Sequence, residues 1–341
     1  MLDVRSPGLG FILNSGKTLY FSWDVTGRPQ VWKIDGASSL PTQLTGGEER
    51  SYLVGMTPNE KLLVIARDRD GQENPGLYIQ KTTGGPLVKI FQKSGVRASF
   101  QGASDDSRYL YYSANDKKPS SATLYRFELA SGVSEPLLDE EGTWFVADRW
   151  KDQKLLLGKA LGNMQIEFYE LDLSSRKLSP VFGQGKSEEI WMNYGQSDNE
   201  YLVQTNMFGN FRRLYVMKDG AFNPITPDVK YDVEQFKVDF NRSMIAVVTD
   251  EDGFRKTQIL DAKTYTPVEW PKIEADHVIA GNFSYNSKFL TLGIERGNEP
   301  RATYVYDFET KELKKWLAAS APEVDVDSFA TATAETYPAR D

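Results

Sequence analysis

Seven times along the 341-residue chain a cluster of turn-forming residues is followed by a short apolar run that stops on a small residue. The runs end at Ser22, Ala66, Ser113, Gly158, Thr205, Thr249 and Gly293, at intervals of 44, 47, 45, 47, 44 and 44 residues. A period of about 40–45 residues made of short strands is the pattern of a β-propeller, with one four-stranded blade per repeat. Length alone, at about 150 residues per domain, would suggest two domains. The period overrides it, because each blade packs only on its neighbours and the ring grows by addition. The expected fold is all-β: a seven-bladed β-propeller of four-stranded antiparallel blades over residues 1–316, then a linker over 317–341.

Each repeat reads as strands A to D. The A–B turns are rich in Asn, Asp, Ser and Gly, as in Asn14-Ser15-Gly16, Asp105-Asp106-Ser107 and Tyr285-Asn286-Ser287. These residues tolerate left-handed backbone or cap a turn through their side chains. The B strands follow, from Thr18–Ser22 to Phe289–Gly293, rich in Leu, Tyr, Val and Ile as two-sided burial requires. Strand C carries an aromatic at Trp32, Tyr78, Tyr125, Tyr169, Tyr215 and Tyr304, with Gln258 in the sixth repeat. An Asp follows three residues later at Asp35, Asp172, Asp261 and Asp307. Strand D is weaker, as an outer strand should be. The first repeat has its own strand A at Leu9–Leu13, and the seventh its own strand D near Glu312–Trp316. Both end repeats being complete, the ring is expected to close by side-chain packing, without a shared blade. Residues 317–341 are rich in Ala, Thr, Glu and Asp, and Ser328–Tyr337 alternates enough to suggest an unpartnered extended segment.

Composition excludes several function classes. There is no Cys, hence no thiolate nucleophile and no Cys-based zinc site. The net charge of −8 disfavours a nucleic-acid partner, whose phosphates need clustered Lys and Arg. No apolar run approaches the ~18 residues of a membrane-spanning helix, so no membrane partner is expected. The start, Met1 to Pro7, lacks the basic and apolar regions of a signal peptide. A cytoplasmic location is favoured, with the periplasm open if a leader was removed.

No catalytic apparatus is visible. No G-x-S-x-G elbow occurs. The one His, His277, lies at the start of a strand A and reads as structural, with no Ser nucleophile placed for it. A lone His also rules out a multi-His metal site. Asp68-Arg69-Asp70-Gly71 and Asp250-Glu251-Asp252-Gly253 look like calcium loops but lack the further oxygen ligands, and both fall on B–C turns where Asp-Gly serves a hairpin. No cofactor is expected. Charge, however, sorts by loop. Basic residues follow the B–C turns (Arg28, Arg67, Lys117, Lys118, Arg212, Arg213, Arg255, Arg296). Acidic pairs sit on the D–A loops (Glu48/Glu49, Glu140/Glu141, Glu188/Glu189, Glu274/Asp276). Both loop types emerge at the same end of a blade, which makes that face a candidate docking surface. Arg212, Arg213, Glu188 and Glu189 are the candidate docking or substrate contacts.

At Gly16-Lys17-Thr18-Leu19-Tyr20-Phe21-Ser22, Gly27-Arg28-Pro29-Gln30-Val31-Trp32-Lys33-Ile34-Asp35 and Gln43-Leu44-Thr45 the chain resembles the propeller repeat of prolyl oligopeptidase family serine peptidases, including their acylaminoacyl-peptidase and dipeptidyl-peptidase-like branches. The ending Glu335-Thr336-Tyr337-Pro338-Ala339-Arg340-Asp341 resembles the segment that leads into their α/β-hydrolase domain. The resemblance implies a non-catalytic N-terminal propeller that gates access of short peptides to a hydrolase domain absent from this chain. The partners it implies are that hydrolase domain and a short peptide substrate. No catalytic residue can be carried onto these positions, so the chain as given is not expected to be an enzyme. The Glu pairs do not match the surroundings of the dipeptidyl-peptidase Glu motif, so no exopeptidase role is assigned. Two other readings stand beside it. One is a stand-alone TolB-like propeller that binds a protein, although such proteins place an α/β domain before the propeller and no room for one precedes Leu9. The other is a propeller lyase or glycosidase, against which the lone His argues.

Overall fold

The computed structural model describes residues 4–162 and 164–338. Met1–Asp3 and the last residues of the closing stretch, Ala339–Asp341, lie outside the described residues. The chain is almost entirely β, with twenty-seven strands and one 3-10 helix, Val326–Ser328, among the described residues. It forms two compact units, Met1–Val25 with Ile34–Leu40 and Asp228–Asp341, and Thr26–Lys33 with Pro41–Pro227.

In the second unit β3 (Gln30–Ile34) pairs antiparallel with β4 (Thr42–Gln43). Consecutive antiparallel stacks of four strands follow. The first is β5 (Ser51–Met56), β6 (Leu62–Arg67), β7 (Gly76–Lys81) and β8 (Val88–Phe91). Next come β9 (Ala98–Ala103), β10 (Tyr109–Lys118), β11 (Ser121–Glu128) and β12 (Val133–Leu138). Then β13 (Thr143–Trp150), β14 (Lys154–Ala160), β15 (Ile166–Asp172) and β16 (Leu178–Phe182), and last β17 (Ile190–Tyr194), β18 (Glu200–Thr205), β19 (Arg213–Lys218) and β20 (Ala221–Pro224).

The B strands are apolar throughout because both faces are covered, and their side chains divide by parity. Leu110 and Tyr112 of β10 join a core with Val64 and Leu77 of the preceding stack, whereas Tyr111, with Leu124 of its own stack, joins Trp144, Leu155 and Leu157 of the following one. Leu156, between those two leucines, faces onward to Phe168, Met192, Tyr194 and Val203. A period of two places alternate residues on opposite faces, so each strand serves two cores.

In the first unit β1 (Phe11–Ile12) pairs with β2 (Leu19–Trp23). Farther along, β21 (Asp232–Val238), β22 (Met244–Glu251) and β23 (Phe254–Asp261) stack, as do β24 (His277–Phe283), β25 (Phe289–Arg296), β26 (Glu299–Asp307) and β27 (Leu313–Leu317). The expected fourth strand of the sixth repeat shrinks to a bridge between Leu260 and Pro267 and one bond from Val268 N–H to Ile259 O, 3.0 Å. Proline has no N–H to give a ladder, which limits the pairing. Residues 8–14 pack against the seventh repeat. Asn282 Nδ2 donates to Gly10 O (2.8 Å), and the Asn286 N–H donates to Asn14 Oδ1 (2.7 Å). A backbone bridge joins Arg5 to Ser320.

Two turn devices recur and explain sequence marks. In four of the A–B turns a Ser, Thr or Asp is buried and the residue three positions on is left-handed. They are Thr57 with Glu60 (φ 60°), Ser104 with Ser107 (φ 58°), Asp239 with Arg242 (φ 55°) and Ser284 with Ser287 (φ 63°). The buried side chain accepts the amide five residues on, as at Ser104 from Tyr109 (2.8 Å) and Asp239 from Met244 (2.6 Å). The left-handed residue then receives an amide from the previous turn, Asn59 N–H to Ser107 Oγ (2.9 Å) and Asp105 N–H to Asp152 Oδ1 (2.7 Å). In three of the C–D turns the strand-C Asp is the cap, whereas Asp35 accepts from the Thr18 hydroxyl at 2.7 Å. Asp172 accepts from Ser174 and Ser175 N–H, Asp261 from Lys263 and Thr264, and Asp307 from Glu309 and Thr310. Amide donors favour the ionised form, so the Asp172 and Asp261 carboxyls titrate below the usual carboxylate range.

In six of the seven repeats the small residue does not end its strand, as β10 runs on to Lys118 and β25 to Arg296, whereas β18 stops on Thr205. The small residue marks where a neighbouring side chain passes. A Cβ on Gly158 would lie 2.1 Å from the Phe145 ring, and one on Gly293 3.0 Å from Leu9 Cδ2. Five A–B pairings also carry a register break in strand A, at Val54, Gln101, Ala147, Glu234 and Gly281–Asn282. Such bulges re-aim side chains and sharpen twist.

Candidate functional site

The B–C turns and D–A loops emerge at the same end of each sheet, which puts basic and acidic residues of a repeat side by side. The charges pair. Lys117 meets Asp139 at 2.5 Å, Lys118 meets Glu141, and Arg255 of β23 meets Glu234 of β21 at 2.6 Å. Backbone oxygens serve as well: Arg28 donates to Glu48 O, Arg67 to Gly46 O (3.0 Å) and Arg296 to Glu274 O (3.0 Å). The Lys117 ammonium holds the Asp139 carboxyl below its ordinary range. These contacts tie several B–C turns to the adjacent D–A loop or strand A. Exposed pairs of this kind contribute little stability singly, ~0–1 kcal/mol, but they fix loop conformation.

The four candidate contacts divide. Arg212 and Glu189 form an ion pair at 3.3 Å, both about one-third exposed. Arg213 turns toward the sheet, where it donates to Thr226 O (2.7 Å) with its guanidinium 5.8 Å from the Tyr215 ring. Glu188 accepts from the Ser187 N–H at 3.1 Å. Around them the B–C turns present apolar side chains that charge reasoning passed over: Phe208 is 54 % exposed and Leu161 53 %. Phe208 packs on Tyr215 and Phe222 at 4.9 and 5.2 Å, so the patch is anchored. The closing segment crosses the same kind of turn in the first unit. Ala330–Ala332 lies against Gly297, where a Cβ would sit 3.0 Å from Ala332 N. Asp276 Oδ2 accepts the Gly297 N–H at 2.6 Å.

His277 sits where the sequence put it. Its Nδ1 accepts the Arg255 N–H at 3.3 Å and so joins β24 to β23. Asp252 and Gly253 both have positive φ, 54° and 85°, and Asp250 Oδ1 accepts the Gly253 N–H at 2.8 Å, a two-residue hairpin turn. Among the described residues no group of three or more His, Asp or Glu converges as a metal-holding set, and no helix is long and apolar enough to cross a membrane.

Two cavities open on this side of the second unit. One, of about 380 Å³, is lined by Thr26, Arg28, Gln30, Gln43 and Glu48. The other, of about 440 Å³, lies between β9–β10 and β13. Arg97, Ser99, Gln101, Ser113 and Asn115 form one wall, Thr143, Trp144 and Phe145 the other, and Pro119–Ala122 the rim. Ser99 stands opposite Ser113 in the ladder, while Ala98, Leu110 and Tyr112 on the reverse face belong to a hydrophobic core. The bulge at Gln101 sets its amide between Ser113 Oγ (3.0 Å) and the Val146 N–H (2.9 Å). Sequence reasoning missed this cluster. Its signal is the polar alternation Arg97-x-Ser99-x-Gln101, placed where a propeller strand would be apolar on both faces.

No family model and no curated protein matches the sequence. Solved structures do match. A prolyl endopeptidase from a study of inter-domain dynamics in catalysis and specificity superposes with a TM-score of 0.73 at 12% identity, over 95% of this chain and 51% of that one. Prolyl oligopeptidase B from Galerina marginata, without ligand, gives 0.72 at 14% identity over 95% and 52%. A mutant of the same protein bound to a 25mer macrocyclization substrate gives 0.72 at 13% over the same shares. The chain thus spans about half the length of the structures it matches. At these identities the likeness is one of fold, and the fold shared is that of the propeller part of prolyl oligopeptidases.

Proposed function

We propose that this chain is the seven-bladed propeller, closed without a shared blade, of a prolyl-oligopeptidase-like serine peptidase. In this reading it covers a hydrolase domain and admits only short peptides. The observation that carries the reading is the match of 95% of the chain to half of a prolyl endopeptidase. The absence of a G-x-S-x-G elbow in these 341 residues fits a non-catalytic part. The hydrolase would meet the end bearing the B–C turns and D–A loops, since the segment 330–332 lies on one such turn and chain connections are short as a rule. Sequencing the gene past codon 341 is the first test: an in-frame G-x-S-x-G within about 150–200 residues is expected, and its absence would leave a stand-alone binding propeller. In the full-length protein, reversing Arg212 and Arg213 together should lower peptide kcat/KM more than reversing Lys61 and Arg108 on the opposite, A–B end. The reverse order would place the hydrolase on the other face. The purified 341-residue chain should hydrolyse no chromogenic aminoacyl or acyl-peptide substrate, and turnover abolished by a His277 substitution would refute the reading.

A further inference from the structure

We propose that the cavity between β9–β10 and β13 is a carboxylate-binding site that takes the C-terminal end of a short peptide. Its volume of about 440 Å³ falls within the roughly 300–1,000 Å³ of small-ligand sites. The lining contains one charged group, Arg97, and no acid. In a chain with a net charge of −8, whose Lys117, Lys118 and Arg212 are all paired with carboxylates, the exposed Arg97 guanidinium has no acidic partner among the described residues. A guanidinium set in a concave polar wall presents its fork of donors to a planar carboxylate.

The remaining groups sort into scaffold and free donors. Gln101 is held by Ser113 and Val146, and Asn115 by the Arg97 N–H (2.8 Å) and Pro119 O (3.3 Å). Ser121 and Gly142 exchange hydrogen bonds at 3.1 Å and fasten the rim. The Ser99 and Ser120 hydroxyls make no hydrogen bond among the described residues and are left to serve a ligand, beside Arg97. Pro119, Ala122 and Phe145 supply apolar wall. One cation, two unused hydroxyls and an apolar wall suit a ligand with a single carboxylate next to a hydrocarbon side chain. A peptide C-terminus has that arrangement. The inference needs no peptidase domain and does not rest on the function proposed above.

The test uses the 341-residue chain and three probes: acetyl-Ala-Ala-Phe as the free acid, the same peptide as its C-terminal amide, and acetyl-Ala-Glu-Phe amide. Calorimetry or amide chemical-shift titration reads the affinity. The free acid should bind saturably, and both amides should bind roughly tenfold more weakly or worse, the loss expected for one charge-assisted contact. Arg97→Gln should weaken the free acid by a similar factor at unchanged Tm, because the residue is exposed, and Ser99→Ala by a smaller one. No saturable binding of the free acid, equal binding of its amide, or indifference to Arg97→Gln would overturn the proposal. Binding of the Glu-containing amide as tight as the free acid would overturn the assignment to a chain terminus.

Discussion

Lys237, in the first unit, carries an ammonium largely withdrawn from water. It projects from β21 into the packing against β24, where its ammonium donates to Gly281 O at 2.7 Å and to Asn282 Oδ1 at 3.5 Å. Loss of hydration, which no acidic group offsets, pushes its pKa from 10.5 down to about 8. At 1.36 kcal/mol per unit, that depression corresponds to about 3 kcal/mol against the folded state wherever the amine is charged in both states. Replacement by Met keeps most of the side-chain volume and removes the charge, but it leaves Gly281 O without its donor, a loss of ~1 kcal/mol. The Lys237→Met variant is therefore expected to be more stable than the parent by about 1–2 kcal/mol at pH 7. The sign with pH follows from proton binding. Between pH 8 and 10.5 the unfolded chain holds the proton more tightly, so the parent gains stability as pH rises and the advantage of the variant disappears. Above that window the variant should be slightly the less stable, having lost only a hydrogen bond. Urea denaturation at pH 7, 9 and 10.5 measures this, with Lys61→Met, an exposed site, as the control for bulk charge. A Met variant that is destabilised at pH 7, or a difference that does not change across the window, would refute the reasoning.

Asn14→Ala should cost about 1–2 kcal/mol in urea unfolding, because the Asn286 N–H loses its acceptor; Asn14→Asp, which keeps an oxygen there, should stay close to the parent, and equal losses would show that the bond is not the cause. Gly158→Ala should cost about 1–3 kcal/mol by forcing the Phe145 ring off its stack on Trp191. Gly162→Ala, in open space, should fall within about 0.5 kcal/mol, and near-ultraviolet circular dichroism should change only in the first. Asp261→Ala should lower Tm at pH 7 by uncapping the turn at Lys263 and Thr264. Because the folded-state pKa of Asp261 is depressed, its contribution is present above the ordinary value of 3.8 and lost as pH falls below it, so parent and variant should converge in acid. A Tm gap constant down to pH 3 would contradict that account.

The antiparallel four-strand pattern of most repeats and the chemistry of the turns were legible in the sequence, because they are local. A strand buried on both sides must be apolar, as Leu155–Leu157 is, and a turn needs a residue that caps or tolerates left-handed backbone, as Asp261 and Ser287 do. A propeller could be anticipated from the repeat, and its likeness to the propeller part of prolyl oligopeptidases from the resemblance of residues 16–22, 27–35 and 43–45, although about seven residues in eight differ from the solved structures. What the sequence could not decide is which side chains of different strands face one another. The B–C and D–A charges read as a surface offered outward, and the sequence does not say that several of them also pair with each other, as Lys117 and Asp139 do, 22 residues apart in the chain but 2.5 Å apart in space. Lys237 looks like any strand lysine until β24 covers it. Arg97, Ser99 and Gln101 look like an interrupted strand until the bulge in β9 and the wall of β13 turn them into one side of a cavity. Register breaks and inter-sheet facing depend on contacts between strands remote in sequence, and only the tertiary structure brings those contacts about.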